Sequence, residues 1–138
     1  MRLLSDIVCN QQPLMLKDTA PVGQACRHMR ERKAGSVLVV NEAGKLVGIF
    51  TGRDAVRRVL AAGKNEGTRL REVMTADPVT ISSNKSSIEA LRMMWDGGFR
   101  HIPLMDGDKI LGVISRGDFE SSEQLQLDEE LQLWEHMR

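Results

Sequence analysis

Two short stretches carry the residue types that bind a ligand. Gly48 to Asp54 reads GIFTGRD and Gly112 to Asp118 reads GVISRGD, so each gives a glycine, two apolar residues, a hydroxyl, two spacers and an aspartate. An apolar run precedes each hydroxyl, Leu46 to Phe50 in one case and Ile110 to Ile114 in the other, which places Thr51 and Ser115 where a strand hands over to a helix. The first N–H groups of a helix lack internal partners and lie at the positive end of its dipole, so that junction attracts anions. Arg53 and Arg116 add charge within the stretches. Asp54 and Asp118 only accept hydrogen bonds and can take two at once, which suits vicinal hydroxyls. Ser/Thr followed three residues later by an acid is equally a capping box, and either stretch alone reads as a helix cap.

The elements around these stretches repeat too. In the first copy, Leu3 to Val8 reads as a short helix, broken at Gln11 to Pro13, and Leu14 to Leu16 as a strand. Thr19 is expected to cap a helix from about Pro21, with Val22, Ala25, Cys26 and Met29 as its apolar stripe and Gly35 at its end. Val37 to Val40 and Leu46 to Phe50 form a hairpin around Gly44. A helix from Thr51 should then turn Ala55, Val56, Val59 and Leu60 inward, with Gly63 following its end. Lys64 to Thr68 is a polar linker. The second copy runs from Leu70 to Met74, through Val79 to Ile81, the helix Ile88 to Trp95 and the strand His101 to Met105, to the final strand Ile110 to Ile114. Ala25, Arg27 and Met29 recur as Ala90, Arg92 and Met94, which marks two copies of one supersecondary unit.

The 138 residues fit one ordinary domain, or two half-size units that share a core and stabilise one another. Nineteen basic residues balance nineteen acidic ones, so net charge gives no case for nucleic acid or an anionic membrane, and no apolar run is long enough to span a bilayer. Cys9 and Cys26 form no CxxC or multi-bridge framework, consistent with a reducing cytoplasm, and Cys26 reads as a packed, inert thiol. His28, His101 and His136 lie in different elements without metal-ligand spacing, and no nucleophile–base pair stands out, so neither a metal site nor an enzyme is expected. Met93, Met94 and Trp95 read as core filling. In the tail, Ser121 to Arg138, Asp128 is expected to cap a helix with Leu127, Leu131 and Trp134 on one face and with His136 and Arg138 at its negative end. That helix should cover its own domain or make a dimer contact.

A repeated β-α-β-β-α unit of this length, with the two G-h-h-(T/S)-x-x-D endings, the opening Val73 to Ile81 (VMTADPVTI) and the stretch Arg100 to Gly107 (RHIPLMDG), resembles the cystathionine-beta-synthase (CBS) domain. Two copies resemble a CBS pair, or Bateman module, over residues 3 to about 120. The resemblance implies an α/β fold of the α+β type, with unit 1 at 1–63, a linker at 64–69 and unit 2 at 70–120, while the C-terminal amphipathic helix at 121–138 lies outside it. The units would form a pseudo-twofold pair with two clefts for AMP, ADP or ATP, less often S-adenosylmethionine or NAD. Carried over by position, Asp54 and Asp118 hold ribose, Thr51 and Ser115 face ribose or phosphate, and Arg53, Arg116, Arg100 and His101 approach phosphate. Lys17, Thr80 and Ile81 read the adenine edge, against an apolar wall of Ile102 and Pro103, although Ile81, Ile102 and Pro103 read equally as core. The basic pair Arg100-His101 corresponds to Gly35-Ser36 in the first copy, so the two sites should differ. The expected function is a non-catalytic, cytoplasmic sensor of adenosine nucleotides, a homodimer that signals in trans to a separate regulated protein. The alternative is an assembly module with vestigial clefts.

Overall fold

A computed structural model describes residues 3–119 and 121–136, and within the last helix the side chains of 125–133. The chain packs as two compact units, one made of residues 12–79 and the other of residues up to 11 together with those from 80 onward. Packing therefore redistributes the linear repeats. The segment that opens the first repeat belongs with the second hairpin, and the segment that opens the second repeat belongs with the first.

In the 12–79 unit, β1 (Met15–Lys17) lies parallel to β2 (Ser36–Val40), β2 antiparallel to β3 (Leu46–Thr51), and β3 antiparallel to the short β4 (Thr75–Ala76). Helix α2 (Val22–Arg32) joins β1 to β2, as a parallel pair requires. Its stripe Val22, Ala25 and Met29 packs with Val37, Val39 and Phe50 of the sheet and with Leu70 and Val73 of α4 (Leu70–Val73). Thr19 does not cap α2. Pro21 occupies the cap position, and the linker does the capping: Val22 N–H donates to Thr68 O at 2.8 Å and Gly23 N–H to Glu66 O at 2.9 Å. This close approach requires a glycine, since a Cβ on Gly23 would lie 2.9 Å from Glu66 Cβ. The helix ends at Lys33, which takes the left-handed conformation (φ 52°), and not at Gly35.

After β3, one turn of helix, α3 (Gly52–Asp54), widens into a π-wound segment, Ala55–Leu60. Its N–H groups reach back five residues, Ala61 to Val56 O and Lys64 to Val59 O. The winding rotates half of the expected apolar stripe outward. Ala55 and Val59 pack on the core, whereas Val56 and Leu60 are 58% and 77% exposed.

The other unit repeats the plan with β5 (Ile81–Ser82) parallel to β6 (His101–Asp106) and β6 antiparallel to β7 (Lys109–Ser115), crossed by α5 (Ser87–Gly97). Val79, expected in β5, precedes it and is exposed. Ser86 caps α5 by accepting from Glu89 N–H at 3.1 Å, and Gly98 closes it in the left-handed region (φ 71°). The core joins Ile81, Leu91, Met94, Ile102, Leu104 and Ile114 to Leu4 of α1 (Leu4–Ile7), to Val8, and to Leu127 of the tail. That tail helix, α6 (Ser121–His136), starts upstream of Asp128, which is therefore mid-helical and not a cap. Leu127 is buried, Leu131 packs beside it, and Arg92 is ion-paired with Glu130. The expected third member of the stripe, Trp134, and the side chain of His136 lie outside the described side chains, and Arg138 outside the described residues.

Candidate functional site

Both motifs stand at the same place in their sheets. Thr51 is paired with Ser36 and Ser115 with His101, each at the start of the first hairpin strand. The next residue binds back to the neck of the hairpin, with Gly52 N–H donating to Gly35 O at 3.2 Å and Arg116 N–H to Arg100 O at 2.9 Å.

At Thr51 the capping box is complete. Asp54 Oδ2 accepts from Thr51 N–H at 3.0 Å and from Thr51 Oγ1 at 3.1 Å, while Asp54 N–H donates to Thr51 Oγ1 at 3.3 Å. Asp54 is buried, and its second oxygen, Oδ1, faces Arg58 Nε at 3.6 Å. Arg58, absent from the sequence-based set, is announced only by its position four residues beyond an acid. It also donates to Met74 O at 2.8 Å, so it ties the motif to α4. Arg53 is exposed.

At Ser115 the carboxylate leg of the box is again present, Ser115 N–H donating to Asp118 Oδ2 at 2.7 Å. The three residues Arg116–Asp118 form a 3-10 turn, and Asp118 is half-buried. Arg116 Nη2 donates to Met94 O and to Phe99 O, each at 3.1 Å, and its guanidinium lies 5.6 Å from the Trp95 ring centroid. Carbonyls at a helix C-terminus lie at the negative end of its dipole and attract a cation, so Arg116 secures the end of α5 and with it the turn that leads to Arg100. Among the described residues its buried Nε has no hydrogen-bond partner. Trp95, expected in the core, is 54% exposed and serves as the surface on which Arg116 rests.

His101 lies across from Ser115. Burial pushes its imidazole below the ordinary value; Asp118 opposes that shift and Arg100 reinforces it. Arg100 is exposed. The second unit thus brings Arg100, His101, Ser115, Arg116 and Asp118 to one end of its sheet.

The remaining candidates are set back from the motifs to different degrees, Lys17 along β1 and Ile102 directly after His101 on β6. Lys17 is paired in register with Val40, four residues along β2 from the Ser36–Thr51 pair, or about 13 Å at the strand rise. It is exposed and ion-paired with Glu42 at 3.1 Å. Thr80 is exposed just before β5, while Ile81, Ile102 and Pro103 are buried, the two isoleucines within the core. Among the described residues no group of three His, Cys, Asp or Glu could hold a metal ion, and no helix is long and apolar enough to cross a membrane.

The family model of the CBS domain matches the chain twice, over residues 4–61 and 70–121. The chain belongs to the CBS-domain family. It is 34% identical over 102 residues to the CBS domain-containing protein CBSCBSPB2 of Arabidopsis thaliana, which covers 73% of this chain but 19% of that protein. It is 36% identical over 104 residues to YlbB of Bacillus subtilis, covering 75% and 70% of the two chains. A CBS-domain structure from Burkholderia ambifaria superposes with a TM-score of 0.79 at 29% identity over 85% of this chain and 90% of that one. The CBS domain protein PAE2072 of Pyrobaculum aerophilum, solved in complex with AMP, superposes with a TM-score of 0.83 over 93% and 99% of the two chains; at 19% identity it speaks to the shared fold. The second family match ends at the first residue of the tail helix α6.

Proposed function

We propose that this CBS pair is a non-catalytic regulatory module that binds an adenosine nucleotide at the motif end of its second sheet. The carrying observation is the gathering of Asp118, Ser115, His101 and Arg100 there, a hydroxyl-accepting carboxylate beside a basic pair. The AMP complex of the Pyrobaculum relative supports an adenine nucleotide as ligand class. The first unit is the weaker site in this reading. Gly35 and Ser36 replace the basic pair, and Asp54 already spends one oxygen on its cap and faces Arg58 with the other. Binding regulates only if the nucleotide has different affinities for two conformations, and a protein in trans would read the difference.

Calorimetric titration with AMP, ADP, ATP, S-adenosylmethionine and NAD tests this. Asn is the informative substitution, because its side-chain oxygen still accepts the capping N–H while the charge is lost. Asp118→Asn should weaken binding by about tenfold to a hundredfold, the worth of a hydrogen bond to a charged group, and Asp54→Asn should have little effect. A folded protein that binds none of the five ligands would overturn the reading in favour of a purely assembling module.

A further inference from the structure

A carboxylate offers about four lone-pair sites, two on each oxygen. Asp54 Oδ2 uses both of its own in the capping box, accepting from Thr51 N–H and from Thr51 Oγ1, so a ligand hydroxyl can reach this carboxylate only through Oδ1. That oxygen faces Arg58 Nε at 3.6 Å. The guanidinium is held from a second side as well, because Arg58 Nη1 donates at 2.8 Å to the carbonyl of Met74, the residue at the C-cap of α4. Oδ1 is therefore covered by a cation that the fold itself keeps in place.

The second motif is built differently at this point. After Asp54 the winding continues directly into Ala55–Leu60, which brings Arg58, four residues on, back beside the carboxylate. After Asp118 the chain leaves the helical turn at Phe119 (φ −89°, ψ 140°), α6 begins afresh at Ser121, and the fourth residue on is Ser122. Sequence and backbone thus both set the two motifs apart, and the first is the one followed by a cation on the same winding.

We infer that Arg58 keeps the first motif closed to nucleotide: it takes the place of ribose hydroxyls at Asp54, and removing it opens a second nucleotide site in the 12–79 unit. This rests on the nucleotide-binding reading given above. A hydroxyl brings no charge, so at Oδ1 it must displace the cation and leave a buried carboxylate uncompensated. The first site stays closed while Arg58 is in place.

Calorimetric stoichiometry of the full chain with AMP, ADP and ATP tests this. Wild type should take one nucleotide per chain, and Arg58→Gln should take two. Arg58→Met, which keeps an apolar stem, is a second neutral variant should the first melt too low to titrate, and it should also take two. Arg58→Lys keeps a cation and should take one. The Asp54 site should bind at least about tenfold more tightly in the neutral variants than in wild type, as removal of a competing charged contact predicts. Adding Asp54→Asn to either neutral variant should return the count to one. A second site already open in wild type, a count of one in both neutral variants, or a new site indifferent to Asp54→Asn overturns the inference and leaves the nucleotide reading standing. Weaker binding in the neutral variants would make Arg58 a ligand contact and overturns it too. A silent wild type whose neutral variants gain binding through Asp54 overturns that reading and keeps the inference, whereas silence in every protein overturns both.

Discussion

The side chain of Gln11 binds both backbone groups of Val113. Gln11 Nε2 donates to Val113 O at 2.9 Å, and Val113 N–H donates to Gln11 Oε1 at 2.7 Å. A carboxamide has one donor group and one acceptor, like a peptide unit, so Gln11 completes β7 as a neighbouring strand would. In the 12–79 unit the equivalent edge of β3 is completed by backbone, with Gly48 and Ile49 paired to Ala76 and Thr75 of β4. One sheet edge is closed by a strand and the other by a single side chain.

Gln11→Ala should therefore destabilise by about 1–3 kcal/mol, since it leaves two partly buried backbone groups without partners. Gln11→Glu should do the same at neutral pH, because a carboxylate cannot donate to Val113 O. Urea denaturation of the variants measures both.

The motif glycines serve the same closure. A Cβ on Gly112 would lie 2.8 Å from Val8 Cβ and 2.7 Å from Gln11 Oε1, and one on Gly48 would lie 2.3 Å from Met74 Sδ. Each glycine leaves room for the segment that opens the other repeat. Gly112→Ala meets a β-branched residue held near the backbone and should cost about 1–3 kcal/mol, as over-packing does. Gly48→Ala meets the flexible Met74 first, so it should cost less. Combining Gly112→Ala with Gln11→Ala should cost less than the sum of the two, since both disturb the same contact; a double-mutant cycle decides.

These contacts mark the limit of what residue patterns carry. The repeat, its strands and the two capping boxes are legible because β-branched runs, turn glycines and a Ser/Thr-x-x-Asp spacing act locally. The exchange of opening segments is not legible: the apolar spacing of Leu4 and Val8 says that a face is buried, without saying against which hairpin. The π winding after Asp54 is hidden for a related reason, because Ala55, Val56, Val59 and Leu60 fit an ordinary helical stripe and backbone geometry overrides it. Arg116 shows the same at the site. Its place after the motif hydroxyl suggests phosphate, yet Met94 O and Phe99 O, 22 and 17 residues away in sequence, receive its guanidinium.

The two cysteines should differ sharply in reactivity. Cys9 is exposed, whereas Cys26 is half-buried in the α2 stripe, where burial raises its thiol above the ordinary value and Arg27 only partly opposes the shift. The thiolate is the reactive form, so a disulfide reagent near neutral pH should modify Cys9 quickly and Cys26 slowly until urea unfolds the chain. Mass spectrometry of the timed reaction assigns each.

His101 should make both stability and ligand binding depend on pH in the mildly acidic range. Burial is the main cause of its lowered value, Arg100 adds to it, and Asp118 across the turn opposes it. Because the folded value lies below the ordinary 6.5, the unfolded chain takes up a proton first as pH falls. The stability contributed by neutral His101 is present above 6.5 and is lost as pH drops from there through the folded value. His101→Gln should flatten that part of a plot of Tm against pH. A phosphate placed beside the imidazole would favour its charged form, so binding should draw a proton onto His101 and strengthen, relative to His101→Gln, as pH falls. The comparison with the variant removes the nucleotide's own phosphate titration, which is common to both proteins. Calorimetry in buffers of different ionisation enthalpy counts the proton. Equal pH profiles for the two proteins would remove His101 from the phosphate site and leave Arg100 as the basic residue to substitute next.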